Sequence, residues 1–95
     1  MEVLVLGSGT GVPWPGRAPS SVLVKARSKN LLLDMGPGAL QRLTQEGVDW
    51  QALDAILLSH LHPDHTLDLW AYFFASRWPG FARKEEVVLV AGRGL

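Results

Sequence analysis

Ala55-Ile56-Leu57-Leu58-Ser59-His60-Leu61-His62-Pro63-Asp64-His65 runs from four apolar residues straight into three imidazoles and a carboxylate. A short apolar run of this kind reads as a buried strand. All 3 histidines of the chain fall in this one stretch, at the strand's end. Alternation along an extended segment points His60 and His62 to the same side, so both can reach one cation. Asp64 and His65 follow Pro63, where the chain turns towards a helix, and can face a second cation. Imidazole nitrogen with carboxylate oxygen suits zinc, and less decisively manganese, iron or nickel. Three imidazoles packed together without a cation would leave nitrogens poorly paired, so a metal site is the expected reading.

Outward from this stretch, strands alternate with helices. Val3 to Leu6 reads as a first strand. Val22-Leu23-Val24 and Leu31-Leu32-Leu33 read as two more, joined by a hairpin connection over Lys25 to Asn30. Pro37 is placed for the first turn of a helix that continues over Ala39 to Glu46, with Gly47 as its C-terminal cap. A second helix is predicted from Thr66, with Leu67, Trp70, Ala71 and Phe74 at helical spacing, stopped by Pro79-Gly80. Val87 to Val90 is a last strand, followed by a glycine turn over Ala91-Gly92-Arg93-Gly94-Leu95. This pattern indicates a mixed α/β layer.

Composition narrows the chemistry. The 95 residues allow one domain at most, and a hydrophobic fraction of 47% supplies a core. There are 0 cysteines, which excludes disulfide scaffolds, thiolate zinc sites, thiol catalysis and iron–sulfur clusters. A formal net charge of +0 argues against a protein that coats nucleic acid, though not against a local patch. The amino terminus has neither the basic start nor the apolar length of a secretory signal, and no stretch is long enough to span a bilayer. A cytoplasmic protein without membrane contact is the expectation.

Gly7-Ser8-Gly9-Thr10-Gly11 follows a strand and invites a dinucleotide-binding reading. That motif needs a further glycine where Val12 stands, and a helix that Pro13 and Pro15 prevent. A tight loop remains, whose glycines would let backbone approach a ligand or metal site closely.

His60-Leu61-His62-Pro63-Asp64-His65 matches the His-x-His-x-Asp-His motif of the metallo-β-lactamase superfamily of metal-dependent hydrolases. Gly9-Thr10-Gly11-Val12-Pro13 with Arg17 and Ser20-Ser21, Leu33-Asp34-Met35-Gly36, Asp54 to Ser59, and Val87 to Leu95 resemble the amino-terminal half of its ribonuclease Z-like members. The resemblance implies the amino-terminal half of an αββα sandwich, with residues 1–95 a single partial domain whose carboxy-terminal half is absent. It implies His60 and His62 as ligands of a first metal, and Asp64 and His65 as ligands of a second. Asp64 would also orient or deprotonate the attacking water. The cofactor is expected to be zinc, two ions in the complete site, and the substrate a phosphodiester, with RNA one option. The family needs further ligands that do not follow His65 here. Pro63 and Asp68 stand where ribonuclease Z usually has glycine, and Gly36-Pro37-Gly38-Ala39 replaces its acidic stretch, so lactones and other esters stay open as substrates. The chain is then a hydrolase when completed by the missing half. The alternative is a non-catalytic fragment or half-site subunit that only binds metal or pairs as a homo-oligomer.

Five further positions carry expectations. Asp34 would be a partner of a ligand histidine or a simple turn cap. Ser59 is read as an ordinary strand-end serine, Asp68 as a solvated helix position and Arg17 as a solvated loop arginine. The aromatic helix of Trp70, Tyr72, Phe73, Phe74 and Trp78 is expected to turn one face to another chain or to the missing half.

Overall fold

The computed structural model describes residues 1–81 and 86–92. The elements are β1 (Glu2–Gly7), β2 (Ser21–Ala26), β3 (Lys29–Leu33), α1 (Ala39–Gln45), a 3-10 turn (Trp50–Ala52), β4 (Ala55–Leu57), α2 (Pro63–Thr66), α3 (Asp68–Ser76) and β5 (Val88–Val90). The five strands form one sheet in the order β1-β2-β3-β4-β5. β1, β2 and β3 are antiparallel neighbours, whereas β3–β4 and β4–β5 pair in parallel. Each parallel step needs a crossover, supplied first by α1 and then by α2 with α3. The expected glycine turn after β5 lies outside the described residues from Arg93 onward.

One register row explains the core. Leu4, Leu23, Leu32, Ile56 and Leu89 stand opposite one another across all five strands. Leu23, Leu32 and Ile56 in that row are buried, and beneath it lie Ala39 and Leu43 of α1, Leu69 and Tyr72 of α3, and Met35, Leu53 and Leu58 from the connections. Burying one such leucine stabilises the fold by about 2–3 kcal/mol.

The flanking rows are apolar as well. Val3, Val24, Leu31, Ala55 and Val88 form one, and Val5, Val22, Leu33, Leu57 and Val90 the other. They point to the face away from the helices, where Val5 is 59% exposed and Val88 also 59%. A sheet with both faces apolar is built to be covered on both.

Local geometry refines several sequence expectations. The β2–β3 connection is a two-residue turn, Arg27-Ser28, with φ of 50° and 64°. Two positive values make it the hairpin turn whose twist matches the strands, occupied here without glycine. α1 begins at Ala39 and not at Pro37, because Pro37 and Gly38 (φ 89°) form a turn closed by Ala39 N–H donating to the Gly36 carbonyl. Its carboxyl end is as expected: Gly47 has φ 72°, its N–H donates to Thr44, and the Val48 N–H donates to Leu43. That double bond pattern, with Val48 and Leu43 both buried, is the Schellman stop.

The second helix differs more. It starts at Pro63 as the short α2, three residues ahead of the expected start, and α3 follows from Asp68. Of the residues whose spacing marked the helix, Trp70 is 76% exposed and Phe74 67%, while Leu69 and Tyr72 face the core. With aromatics nearly all round, periodicity alone could not choose the buried side.

Candidate metal centre

The site stands at the carboxyl ends of β3 and β4, where adjacent parallel strands of an α/β sheet usually present their functional groups. Asp34 follows β3 and Ser59-His60 follows β4. Asp34 N–H donates to the Leu57 carbonyl at 2.8 Å, extending the ladder by one bond. Met35 N–H then donates to the His65 carbonyl at 2.7 Å, and Asp68 N–H to the Met35 carbonyl at 3.1 Å. The two strand ends are thus tied to α2 and α3 by backbone bonds.

Pro63 opens α2, with extended His62 (φ −63°, ψ 144°) as the residue before it. Its missing N–H costs nothing at a first helical position. The turn brings all four predicted residues together. One donor atom from each of His60, His62 and Asp64 lies within 4.8 Å of the others. The ring of His65 sits 4.0 Å from that of His60 between centroids, and its Nε2 lies 3.1 Å from Asp64 Oδ2. His60 and His62 are exposed, whereas Asp64 and His65 are half-buried. The geometry therefore places Asp64 against His65 and also within reach of a cation held by His60 and His62.

Asp34 organises this cluster from behind. Its carboxylate meets His65 Nδ1 at 2.8 Å, the Ser59 N–H at 2.7 Å and the Ser59 hydroxyl at 2.8 Å. Ser59 Oγ lies in turn 3.0 Å from His60 Nδ1. With the Ser59 hydroxyl donating to Asp34, its oxygen accepts from His60 Nδ1–H. One carboxylate thus directs Nδ1 of two imidazoles inward, one directly and one through Ser59, and turns both Nε2 atoms towards the cluster, where that of His65 faces Asp64 Oδ2. Burial pushes the Asp34 carboxyl up, but the Ser59 N–H, the His65 ring and the Ser59 hydroxyl outweigh it and hold the group below its ordinary value. Of its two expected roles, the geometry supports that of partner to a candidate ligand histidine. Ser59, read from sequence as an ordinary serine, belongs to the same network; its place next to His60 at a strand end was the signal.

Asp68 is neither a candidate ligand nor a solvated side chain. Its Oδ2 accepts from the Leu40 N–H at 2.8 Å and so caps α1, whose own N-cap Gly38 has no side chain to do so. Arg17 ends an exposed turn that starts at Trp14, its N–H donating to the Trp14 carbonyl at 3.2 Å. The glycine loop forms a wall of the site: an added Cβ at Gly11 would lie 3.2 Å from Asp64 Cβ, and one at Gly36 would overlap the Asp64 carbonyl oxygen. At Gly11 this is the close approach that a glycine in the loop permits; Gly36 lies outside that loop.

Two imidazole Nε2 atoms with their tautomers fixed, a third imidazole and a carboxylate, all converging, are a donor set that fits a divalent cation. A profile of the Metallo-beta-lactamase superfamily matches residues 14–95. The chain belongs to that superfamily. Among metallo-β-lactamase superfamily relatives, ribonuclease Z of Mycobacterium bovis is 42% identical over 82 residues, covering 86% of this chain and 29% of that protein. Ribonuclease Z of Mycolicibacterium paratuberculosis is 48% identical over 69 residues, covering 73% and 25%. In structure, human tRNase Z, short form, aligns with a TM-score of 0.71 at 30% identity over 76% of this chain and 28% of that one. A diphosphatase of the PhnP family aligns with a TM-score of 0.72 at 32% identity over 92% and 39%. The chain thus spans 25% to 29% of the length of the ribonuclease Z relatives named here. The expected fold, the amino-terminal part of a metallo-β-lactamase-type sandwich, is borne out. Among the described residues, no helix is long and apolar enough to cross a membrane.

Proposed function

We propose that residues 1–95 are the metal-binding amino-terminal part of a metal-dependent hydrolase of ribonuclease Z type, acting on a phosphodiester and preferentially on RNA. The observation that carries the reading is the Asp34–Ser59–His60/His65 network, which fixes imidazole tautomers for a task that no core histidine would need. The named relatives, ribonucleases Z and a diphosphatase, share reactions at phosphorus, which favours phosphodiesters over lactones and other esters.

In this reading His60 and His62 hold one cation, and Asp64 and His65 a second, with zinc the preferred metal. Such a pair supplies Lewis acidity and lowers the pKa of water. Asp64 Oδ would orient the attacking water or take its proton, leaving the oxygen directed at phosphorus. Asp34 holds His65 and, through Ser59, His60, so that their Nε2 atoms stay on station. The open sheet face of Val3, Val5, Leu33, Val88 and Val90 receives the second sheet of the sandwich, which brings the remaining ligands. A cytoplasmic location goes with an RNA substrate.

A second reading rests on the same face. Two copies of the chain could cover each other's open sheets, making a half-site subunit that binds metal without turnover. One experiment separates the two. Metal content per chain and hydrolysis of bis(p-nitrophenyl) phosphate and of a 3′-extended transfer-RNA precursor are measured for this chain and for a version extended by the relative's remaining length. Activity in the extended protein, lost in His62→Ala together with one equivalent of zinc, is the expected result. Zinc uptake without hydrolysis in both forms would favour the half-site subunit, and no uptake in either would overturn both readings.

A further inference from the structure

Asp64 is gripped from two sides by residues without side chains. Gly36 lies against its main-chain carbonyl, leaving no space for a Cβ. Gly11 lies against its side chain: a Cβ there would sit 3.2 Å from Asp64 Cβ, 3.3 Å from Cγ and 3.5 Å from Oδ2. Gly11 belongs to an arch between β1 and β2 whose limbs are tied by Gly9 N–H donating to the Ala18 carbonyl at 2.7 Å. Its far end is the tight Trp14–Arg17 turn, with Gly16 at φ 77°. Such an arch cannot retreat freely from Asp64. The carboxylate therefore has the backbone of Gly11 on one side and the His65 ring, 3.1 Å away, on the other.

We propose that Gly11 is a positioning residue: the bare Cα at this point leaves the space in which the Asp64 carboxylate is held towards His60, His62 and His65. The proposal rests on the metal-site reading for its purpose, but not for its geometry. Gly11 is exposed and no left-handed φ requires glycine there, so the steric argument is what remains to account for it. A methyl group at this position forces the carboxylate aside by a few tenths of an ångström, because its contacts to carbon would be tighter than ordinary van der Waals distance.

The test uses Gly11→Ala, with Val12→Ala as the neighbouring control. In metal-free protein, a nuclear Overhauser contact between Gly11 Hα and Asp64 Hβ is expected. Its absence would overturn the proposal whatever the metal does. In zinc titrations followed by calorimetry, Gly11→Ala is expected to weaken the Asp64-dependent cation about tenfold, the scale of effects from groups that orient ligands. The His62-dependent cation and the melting temperature should not move. Repeated in an Asp64→Ala background, Gly11→Ala should have no further effect on zinc binding. An equal loss in that background, or wild-type affinity in Gly11→Ala, would overturn the proposal. A wild-type protein that shows the Overhauser contact but takes up no zinc leaves Gly11 as the residue that places Asp64 and overturns the functional reading instead.

Discussion

Asp34 combines a left-handed backbone (φ 61°) with a nearly buried carboxylate, and the three groups it serves account for both. A left-handed conformation costs a non-glycine residue roughly 1 kcal/mol or more, less for Asp and Asn than for most. Here it turns the carboxylate off the end of β3 towards Ser59 and His65. Asp34→Ala is therefore expected to lower zinc affinity about 10- to 100-fold. Ser59→Ala should lower it less, since only the route to His60 is cut. Calorimetric titration of the two variants checks the order, and equal effects would mean that Asp34 acts through Ser59 alone. The same carboxylate sets an acid limit on the metal-free protein. Folded Asp34 binds its proton less tightly than unfolded Asp34, so its stabilisation is complete above about pH 4 and is lost as pH falls through the lower folded-state value. The melting temperature of metal-free protein should fall over that window, and fall less steeply in Asp34→Asn. Of the residues at this scale, the four candidate ligands were legible because they are contiguous. Ser59 was legible only as a neighbour of His60 at a strand end, because its other partner, Asp34, is 25 positions away in sequence. The glycine loop was legible as a place of close approach but not that Gly11 meets Asp64, and the cap made by Asp68 was not legible, because each acts on a residue distant in sequence.

The helices show how an element borrows from its neighbours. α1 is capped at its amino end by a side chain from α3, Asp68, 28 positions away from Leu40. A capping carboxylate also lies favourably against the helix dipole. Asp68→Ala should destabilise the protein by about 1 kcal/mol, and Asp68→Asn by less, since the amide keeps an acceptor oxygen. Urea unfolding of both variants checks this, and no change in either would show the contact to be idle. The carboxyl end of α1 was legible from Gly47 alone, because a left-handed stop is a local requirement. Its amino end was misread by two residues, since Pro37 is equally at home in the preceding turn. The buried face of α3 was not legible. Leu67, Trp70, Ala71 and Phe74 have helical spacing, but so do Leu69 and Tyr72, and only the sheet beneath decides between them.

For the whole molecule the decisive property is a sheet that is apolar on both faces and covered on one. The sequence displays the strands but not which rows lie under the helices, because alternation in a strand apolar on both sides has no polar phase to reveal it. If the open face seeks cover in the isolated chain, Val5→Lys should reduce self-association and the binding of a hydrophobic dye, with little loss of stability. In the longer protein of the proposed function the same change buries an unpaired ammonium and should destabilise strongly. Analytical ultracentrifugation of the first and thermal melting of the second check the pair of outcomes; a stable long form with Val5→Lys would mean that the face is never covered.

The contiguity of His60, His62, Asp64 and His65 has one more consequence, and it concerns the unfolded chain. Because the donors span only six residues, they remain neighbours after every strand has separated, so a cation keeps much of its binding partner in that state. Affinity for the unfolded chain subtracts from whatever a ligand contributes to folding. What the fold adds is the grip of Asp34, 31 positions away from His65, and of the arch at Gly11. Metal would therefore stabilise this chain less than its ligand count suggests, and the part it does stabilise is the pairing of β3 with β4.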